Sequence, residues 1–262
     1  MPLANLGNVV LNYRIDGADG LPLLLLSNGL GLDLTMWDPQ IAALSRDLRV
    51  LRCDTRGHGA SSMPAGPCTM ADLGRDVLGL LDHAGVDRMH FCGFSLGGMV
   101  GQWLGIHAPQ RLHKLVLAHT AARIGPPSMW NERIATVNTN GMQAISGAAM
   151  ERWFTRDFNV RESAVVDALK EVFERNSPAG YVQCCAAIRD VDFTDTIHRI
   201  GMSTLVISGT RDNATTLADG QAIAQRIAGS QFVEIDAAHL SNIEKPAEFT
   251  KVLLGFLRGR DA

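Results

Sequence analysis

Arg88-Met89-His90-Phe91-Cys92-Gly93-Phe94-Ser95-Leu96-Gly97-Gly98 decides the reading of the chain. Residues 88–94 form an apolar run of strand length, and residues 97–107 carry a helical pattern that Pro109 closes. The pentapeptide pattern G-x-S-x-G stands at the junction of the two. A serine projecting from so sharp a strand-to-helix turn needs small residues two positions away on each side, because side chains there would collide with the adjoining backbone. Gly93 and Gly97 meet that need, which makes Ser95 a candidate nucleophile. The plainer alternative is a glycine-rich helix entry, and the strand before it and the helix after it favour the nucleophile.

Outward from this turn the same alternation repeats. Residues 9–15 and 21–26 read as strands, the second buried on both faces, and residues 48–53 as a third. Thr69, three residues before Asp72, resembles a capping signal for a helix carrying Leu73, Val77, Leu80, Leu81 and Ala84 up to Gly85. A strand over 114–119 follows the elbow helix, and the pattern of a strand over 204–208, a helix over 216–228, a strand over 231–235 and a helix over 245–257 ends the chain. Such recurrence predicts an α/β fold with a mostly parallel central sheet covered by helices. Between 125 and 198 strand-like runs vanish and helical patterns follow one another, with Pro126-Pro127 at the entry. The expected organisation is therefore a core over 1–124, a helical cap inserted over 125–198, and the rest of the core over 199–262. No repeat or low-complexity tract is visible.

Composition narrows the function. The 262 residues are 46% hydrophobic and 19% charged, the balance of a globular chain with one sizeable core. Lys plus Arg number 24 against 27 Asp plus Glu, so no positive field favours nonspecific nucleic-acid binding. The five cysteines lack C-x-x-C spacing, and adjacent Cys184 and Cys185 cannot readily bridge to each other, which suits reduced thiols. The longest apolar block, 21–26, is far short of a bilayer span, and residues 1–11 show no signal-peptide pattern. A cytoplasmic protein without a membrane segment is the expectation.

A serine hydroxyl is a weak nucleophile near neutral pH, so it needs a base to take its proton and an acid to orient that base. After a strand–G-x-S-x-G–helix elbow the expected chain order is nucleophile, acid, base. Of the eight histidines, His239 alone lies between the late strand 231–235 and the final helix, which marks it as the general base. Asp212 follows the strand 204–208 across Gly209-Thr210-Arg211, where the orienting carboxylate belongs; its competitor Asp236 reads as a strand-end turn residue. The oxyanion needs two donors, and the backbone N–H groups of Leu96 at the elbow and Leu30 in Ser27-Asn28-Gly29-Leu30-Gly31 are placed to supply them. That loop also invites comparison with a dinucleotide fingerprint, but Leu34 stands where the third glycine would be. Asp54-Thr55-Arg56-Gly57-His58-Gly59 reads as a turn held by local hydrogen bonds rather than a metal or acid site. His107, His113 and His119 have no recognised ligand spacing, so no metal and no cofactor are expected. Met99, Trp103 and Leu104 read as a packing face of the elbow helix.

Ser27-Asn28-Gly29-Leu30-Gly31, Asp54 to Gly59, Gly93-Phe94-Ser95-Leu96-Gly97-Gly98 and Ala238-His239-Leu240-Ser241-Asn242-Ile243-Glu244 together resemble the α/β-hydrolase superfamily. Within it the chain is most similar to 3-oxoadipate enol-lactonases, through the Ser-Asn-x-Leu-Gly loop, Thr120-Ala121-Ala122-Arg123-Ile124-Gly125 and the His239 segment. The likeness covers nearly the whole chain and is weakest over 138–199. Gly29 departs from a serine found in some lactonases, and Phe94 and Leu96 flank the nucleophile where leucine and methionine are frequent. Both backbone donors survive these changes, although the pocket wall is altered. The resemblance implies hydrolysis of 3-oxoadipate enol-lactone, a small anionic ring from aromatic-compound catabolism, with Trp130 and Arg133 as substrate contacts. From the residues alone, a surface Trp and Arg on a helix read equally as packing and solvated charge. Residues 125–198 hold ten acidic and seven basic side chains, so carboxylate recognition must be local, with Arg133 the first suspect. The rival functions are a general carboxylesterase or cofactor-free perhydrolase on neutral esters, a non-catalytic binding module, and a nicotinamide oxidoreductase.

Overall fold

A computed structural model of the protein describes residues 2–259. Its strands are β1 (Leu3–Asn5), β2 (Val10–Asp16), β3 (Leu23–Ser27), β4 (Arg49–Cys53), β5 (Met89–Phe94), β6 (Leu112–Ala118), β7 (Thr204–Gly209) and β8 (Gln231–Ile235). They form one sheet in the order β1-β2-β4-β3-β5-β6-β7-β8. The strands from β4 to β8 in that row are parallel, while β1 and β2 add an antiparallel edge. Leu24, Leu25 and Leu26 are wholly buried, as a central parallel strand covered on both faces requires. Each such side chain contributes roughly 1.5–3 kcal/mol of hydrophobic stabilisation.

Helices α1 (Asp38–Leu44), α2 (Met70–His83) and α3 (Leu96–His107) belong to the first half of the core. The capping box expected at Thr69 is formed with Asp72. Gly101 of α3 lies against Phe91, Leu115 and Leu117, and Trp103 fits over Gly74 of α2. Phe94, three residues beyond Phe91 and so on the other face of its strand, meets Trp37 and Phe249 instead. The chain thus covers both faces of the sheet.

Five helices separate β6 from β7: α4 (Pro127–Asn140), α5 (Gln143–Trp153), α6 (Arg156–Arg161), α7 (Ser163–Arg175) and α8 (Pro178–Arg189). Pro127 occupies the first turn of α4, where its missing N–H costs nothing. This helical segment sits on loops that leave the C-terminal ends of strands. Asn176 donates to the Gly31 carbonyl at 2.8 Å and accepts from Gly59 N–H at 3.0 Å, Leu240 N–H donates to Trp153 O at 2.9 Å, and Gly57 and Gly180 approach backbone to backbone. After it come α9 (Leu217–Arg226), α10 (Ser241–Glu244) and α11 (Pro246–Arg258). No helix among the described residues is long and apolar enough to cross a membrane.

Differences from the expected boundaries have local causes. The strand read over 114–119 runs from Leu112 to Ala118, and His119 lies outside it because its φ of 48° turns the backbone left-handed. The helix read from Thr216 begins at Leu217, with Thr216 as its N-cap. β1, α1 and α10 were not legible, being three, seven and four residues long.

Candidate active site

The chain runs outward from β3 to β4 on one side and to β5 on the other, so a crevice opens at the carboxyl ends of β3 and β5, where α/β sheets bind ligands. Ser95 stands at the end of β5 with φ 54° and ψ −111°, a conformation a non-glycine residue adopts only under constraint. The constraint is visible. Ser95 N–H donates to Ala118 O at 2.9 Å, Thr120 Oγ1 donates to Ser95 O at 2.8 Å, and Gly97 N–H donates to Asn28 O at 3.0 Å. A Cβ on Gly93 would stand 2.0 Å from the Gly97 carbonyl oxygen, and one on Gly97 would stand 2.4 Å from that of Ser27. Both glycines are therefore required by close backbone approach.

The neighbouring strand β3 pairs Ser27 with Gly93 and delivers the loop from Asn28 to Leu30 alongside the elbow. A Cβ on Gly29 would lie 3.8 Å from Ser95 Cβ, which places this loop in contact with the serine. Asn28 is tied down by its side chain, donating to Cys53 O at 2.8 Å and accepting from Trp37 Nε1 at 2.9 Å. Among the described residues neither Leu30 N–H nor Leu96 N–H donates to a protein acceptor; Leu96 is the first residue of α3, where an N–H has no partner within its helix. Both residues are buried, and Leu30 lines the same cavity as Ser95.

His239 and Asp212 come from the loops after β8 and β7. His239 Nδ1 is 2.7 Å from Asp212 Oδ2. Oδ1 of Asp212 accepts from the N–H groups of Ala214 at 2.8 Å and Thr215 at 3.0 Å, and Oδ2 also accepts from Thr215 Oγ1 at 3.0 Å. Burial by itself raises the Asp212 pKa, but the charge of His239 and hydrogen bonds from His119 and His239 outweigh it and hold the carboxyl well below the usual range. Asp212 is thus an anion at any working pH. The competitor Asp236 is exposed and bound to Arg211, at 2.7 and 2.9 Å. Ser95 and His239 line one cavity of about 110 Å³, together with Gly29, Leu30, Phe94 and Thr215.

The helical segment closes that cavity with Trp130 and Arg133 from α4, Arg152 and Trp153 from α5, and Tyr181 and Ile188 from α8. Trp130 is not a surface residue: it is 3% exposed and its Nε1 donates to Ile124 O at 2.7 Å, so it packs and lines the cavity at once. The Arg133 guanidinium lies 4.7 Å from the Trp130 ring centroid, a cation–π stack that holds the charge at the wall. Arg152 escaped the sequence reading. Its pKa is lowered by burial and by the nearby Arg133 charge. Among the described residues neither guanidinium has a carboxylate within 4 Å, in a protein where most other arginines do.

A second unexpected member is His119, whose Nδ1 lies 2.9 Å from the same Asp212 Oδ2. His119, Asp212 and His239 form a group of potential metal ligands within 4.8 Å. Their N···O separations of 2.7 and 2.9 Å are those of hydrogen bonds. Ligands about 2.0–2.1 Å from a tetrahedral ion would stand roughly 3.3 Å apart, so the cluster does not fit a metal. Asp54, in the other motif, holds the expected local turn, accepting from Ala60 N–H at 2.9 Å beside the His58 N–H to Thr55 O bond of 2.9 Å, and it also ties that turn to distant segments by accepting from Asn12 Nδ2 at 2.7 Å and Leu34 N–H at 2.8 Å.

Known proteins share this architecture. Residues 22–246 match a family model described as the alpha/beta hydrolase fold. 3-Oxoadipate enol-lactonase 2 of Acinetobacter baylyi is 41% identical over 242 residues, covering 92% of this chain and 91% of its own. 3-Oxoadipate enol-lactonase 1 of the same organism is 36% identical over 256 residues, covering 98% and 96%. The crystal structure of the enol-lactonase from Burkholderia xenovorans LB400 superposes with a TM-score of 0.97 at 45% identity, covering 98% of this chain and all of that one.

Proposed function

The chain belongs to the α/β-hydrolase family, whose enol-lactonases it resembles along nearly its full length, and from this we propose that it hydrolyses 3-oxoadipate enol-lactone to 3-oxoadipate in aromatic-compound catabolism. In this reading Ser95, His239 and Asp212 are the nucleophile, general base and orienting acid. Ser95 Oγ gives its proton to His239 and attacks the lactone carbonyl carbon, while Leu30 and Leu96 N–H groups hold the oxyanion. Collapse breaks the ring C–O bond, and the enol oxygen leaves with the proton from His239. Water, deprotonated in turn by His239, attacks the acyl-enzyme; collapse frees the carboxylic acid and returns the proton to Ser95. The released enol tautomerises to the ketone. These steps call for no cofactor.

The observation that carries the choice of substrate is the pair Arg133 and Arg152. Two adjacent, partly desolvated cations without carboxylate partners repel each other, and an anion in the cavity relieves that repulsion while accepting from both. Trp130 and Trp153 supply apolar walls for a small ring. A neutral ester gains nothing from the two charges.

The test is kcat/KM for enol-lactone generated in situ beside that for a neutral acetate ester, in the wild type, Ser95→Ala, Arg133→Met and Arg152→Met. Each arginine variant should lose about 10- to 150-fold on the lactone, mostly in KM, the equivalent of one charge-assisted hydrogen bond of about 1.5–3 kcal/mol. Its loss on the neutral ester should stay within about threefold. Equal losses on both substrates would remove the carboxylate site, and turnover retained by Ser95→Ala would remove the nucleophile.

A further inference from the structure

Among the described residues, Ser95 (φ 54°) and His119 (φ 48°) are the two that are not glycine and yet have positive φ. Such conformations cost of order 1–3 kcal/mol and persist where surrounding structure enforces them. For His119 the result is a buried imidazole brought into the acid–base pair from β6. Its Nδ1 reaches Asp212 Oδ2 at 2.9 Å and its Nε2 reaches Ser241 Oγ at 2.6 Å. The ring stacks on Phe94 at 4.9 Å, between centroids, and meets His239 edge-on at 5.7 Å. Gly209 leaves room for it, since a Cβ there would come within 3.0 Å of His119 Cε1.

We propose that His119 is a positioning residue that donates to Asp212 alongside His239, clamping the carboxylate and moderating the basicity it confers on His239. The proposal rests on the reading of Ser95, His239 and Asp212 as the acyl-transfer machinery. The proton inventory follows from the geometry. Ionised Asp212 only accepts, so both Nδ1 atoms must carry hydrogen. Burial lowers the His119 pKa, against the pull of Asp212, which keeps the ring neutral and leaves Nε2 bare to accept from the Ser241 hydroxyl. Ser241 thereby sets the tautomer. The titratable groups facing His119 are Asp212, His239 and Glu244, from the loops after β7 and β8 and from α10. With two imidazoles sharing Oδ2, its charge is divided, and a positive His239 is held less firmly than by a carboxylate with one imidazole. The shared oxygen also cannot swing away as His239 moves its proton.

The test uses the full chain and 4-nitrophenyl acetate, whose hydrolysis does not depend on which lactone is natural. His119→Leu should move the acid limb of the kcat/KM profile to higher pH by about half to one unit and lower its plateau about tenfold. His119→Asn places an amide N–H near the position of Nδ1 and should restore the limb and most of the plateau. Ser241→Ala, which releases the tautomer, should shift the limb the same way by less. An unmoved limb in both His119→Leu and Ser241→Ala overturns the proposal, as does His119→Asn behaving no better than His119→Leu. If His119→Leu fails to fold, Ser241→Ala decides alone. Proton NMR of Ser95→Ala separates this from a failure of the acyl-transfer reading: two downfield imidazole N–H signals are expected, one of them lost on adding His119→Leu, and a single signal before that change overturns the double contact whatever the activity.

Discussion

Replacing Asp212 by asparagine changes one atom, and the surroundings dictate where that atom must go. Two N–H donors, from Ala214 at 2.8 Å and Thr215 at 3.0 Å, converge on Oδ1, so the amide oxygen of Asp212→Asn stays there. The NH₂ group then takes the place of Oδ2, where His239 Nδ1 at 2.7 Å, His119 Nδ1 at 2.9 Å and Thr215 Oγ1 at 3.0 Å all point. Three neighbours that donated now face a donor with two hydrogens. The Thr215 hydroxyl can reverse by rotation, but each imidazole can comply only by moving its proton from Nδ1 to Nε2. For His239 that puts hydrogen on the nitrogen that must receive the Ser95 proton, and the base is lost without any change of shape. The expected fall in kcat is on the order of 10³–10⁴-fold, equivalent to about 4–5.5 kcal/mol in the barrier. Stability should change by only about 1–3 kcal/mol, the scale of imperfectly satisfied buried hydrogen bonds. Steady-state hydrolysis of the enol-lactone and of 4-nitrophenyl acetate near pH 8 measures the first quantity, and urea unfolding the second. Asp236→Asn is the matched comparison: exposed and paired with Arg211, it should alter kcat less than about twofold. A folded Asp212→Asn retaining more than about a tenth of the wild-type kcat, or a collapse confined to Asp236→Asn, would refute the assignment of the acid.

Gly97→Ala puts a methyl group 2.4 Å from the Ser27 carbonyl oxygen, so backbone must move by nearly an ångström; kcat/KM should fall about 10²-fold with a loss of about 1–3 kcal/mol in stability. In contrast, Gly255→Ala at an exposed position of α11, with nothing within 4 Å, should raise stability by about 0.5–1 kcal/mol, and a pair of thermal midpoints checks both. Burial lowers the pKa of His58 to about 4, so the folded state disfavours its charged form. Its contribution is complete above the ordinary value near 6.5 and is lost as pH falls toward 4, about 2.5 kcal/mol by pH 4.5. Urea unfolding at pH 7.5 and 4.5 should show His58→Gln losing that much less stability than the wild type, and equal losses would contradict the burial argument.

Much of this arrangement was readable from residues because the determining interactions are short-ranged in sequence. The elbow announces itself within eleven residues, since Gly93 and Gly97 are excluded volume written as composition. The capping box at Thr69 and Asp72 and the four successive leucines of β3 are likewise local signals. Asp212 and His239 were placed by their positions after late strands, a rule of topology that needs no coordinates. β1 gave no signal because a three-residue edge strand with exposed ends carries neither a run nor an alternation.

His119 and Arg152 show where such reading stops. His119 was one of three histidines without ligand spacing, and its partners Asp212 and Ser241 are 93 and 122 residues away. Nothing in a histidine at a strand end announces that the backbone will turn left-handed there; the turn becomes intelligible only once β7 lies beside β6 and brings Asp212 within reach. Arg152 stood among seven basic and ten acidic residues of the segment 125–198, where a solvated charge and a ligand-facing one look alike. What separates Arg152 from Arg175 is not its type or its helix but what lies opposite: Glu171 for the latter, and for Arg152 a cavity shared with Arg133, Ser95 and His239. Helical periodicity gives the direction a side chain takes from its own axis, whereas function here depends on which distant strand end that direction meets. The parts of the site carried by a single turn of chain are therefore legible in sequence, and those made by two segments meeting over the sheet require the fold.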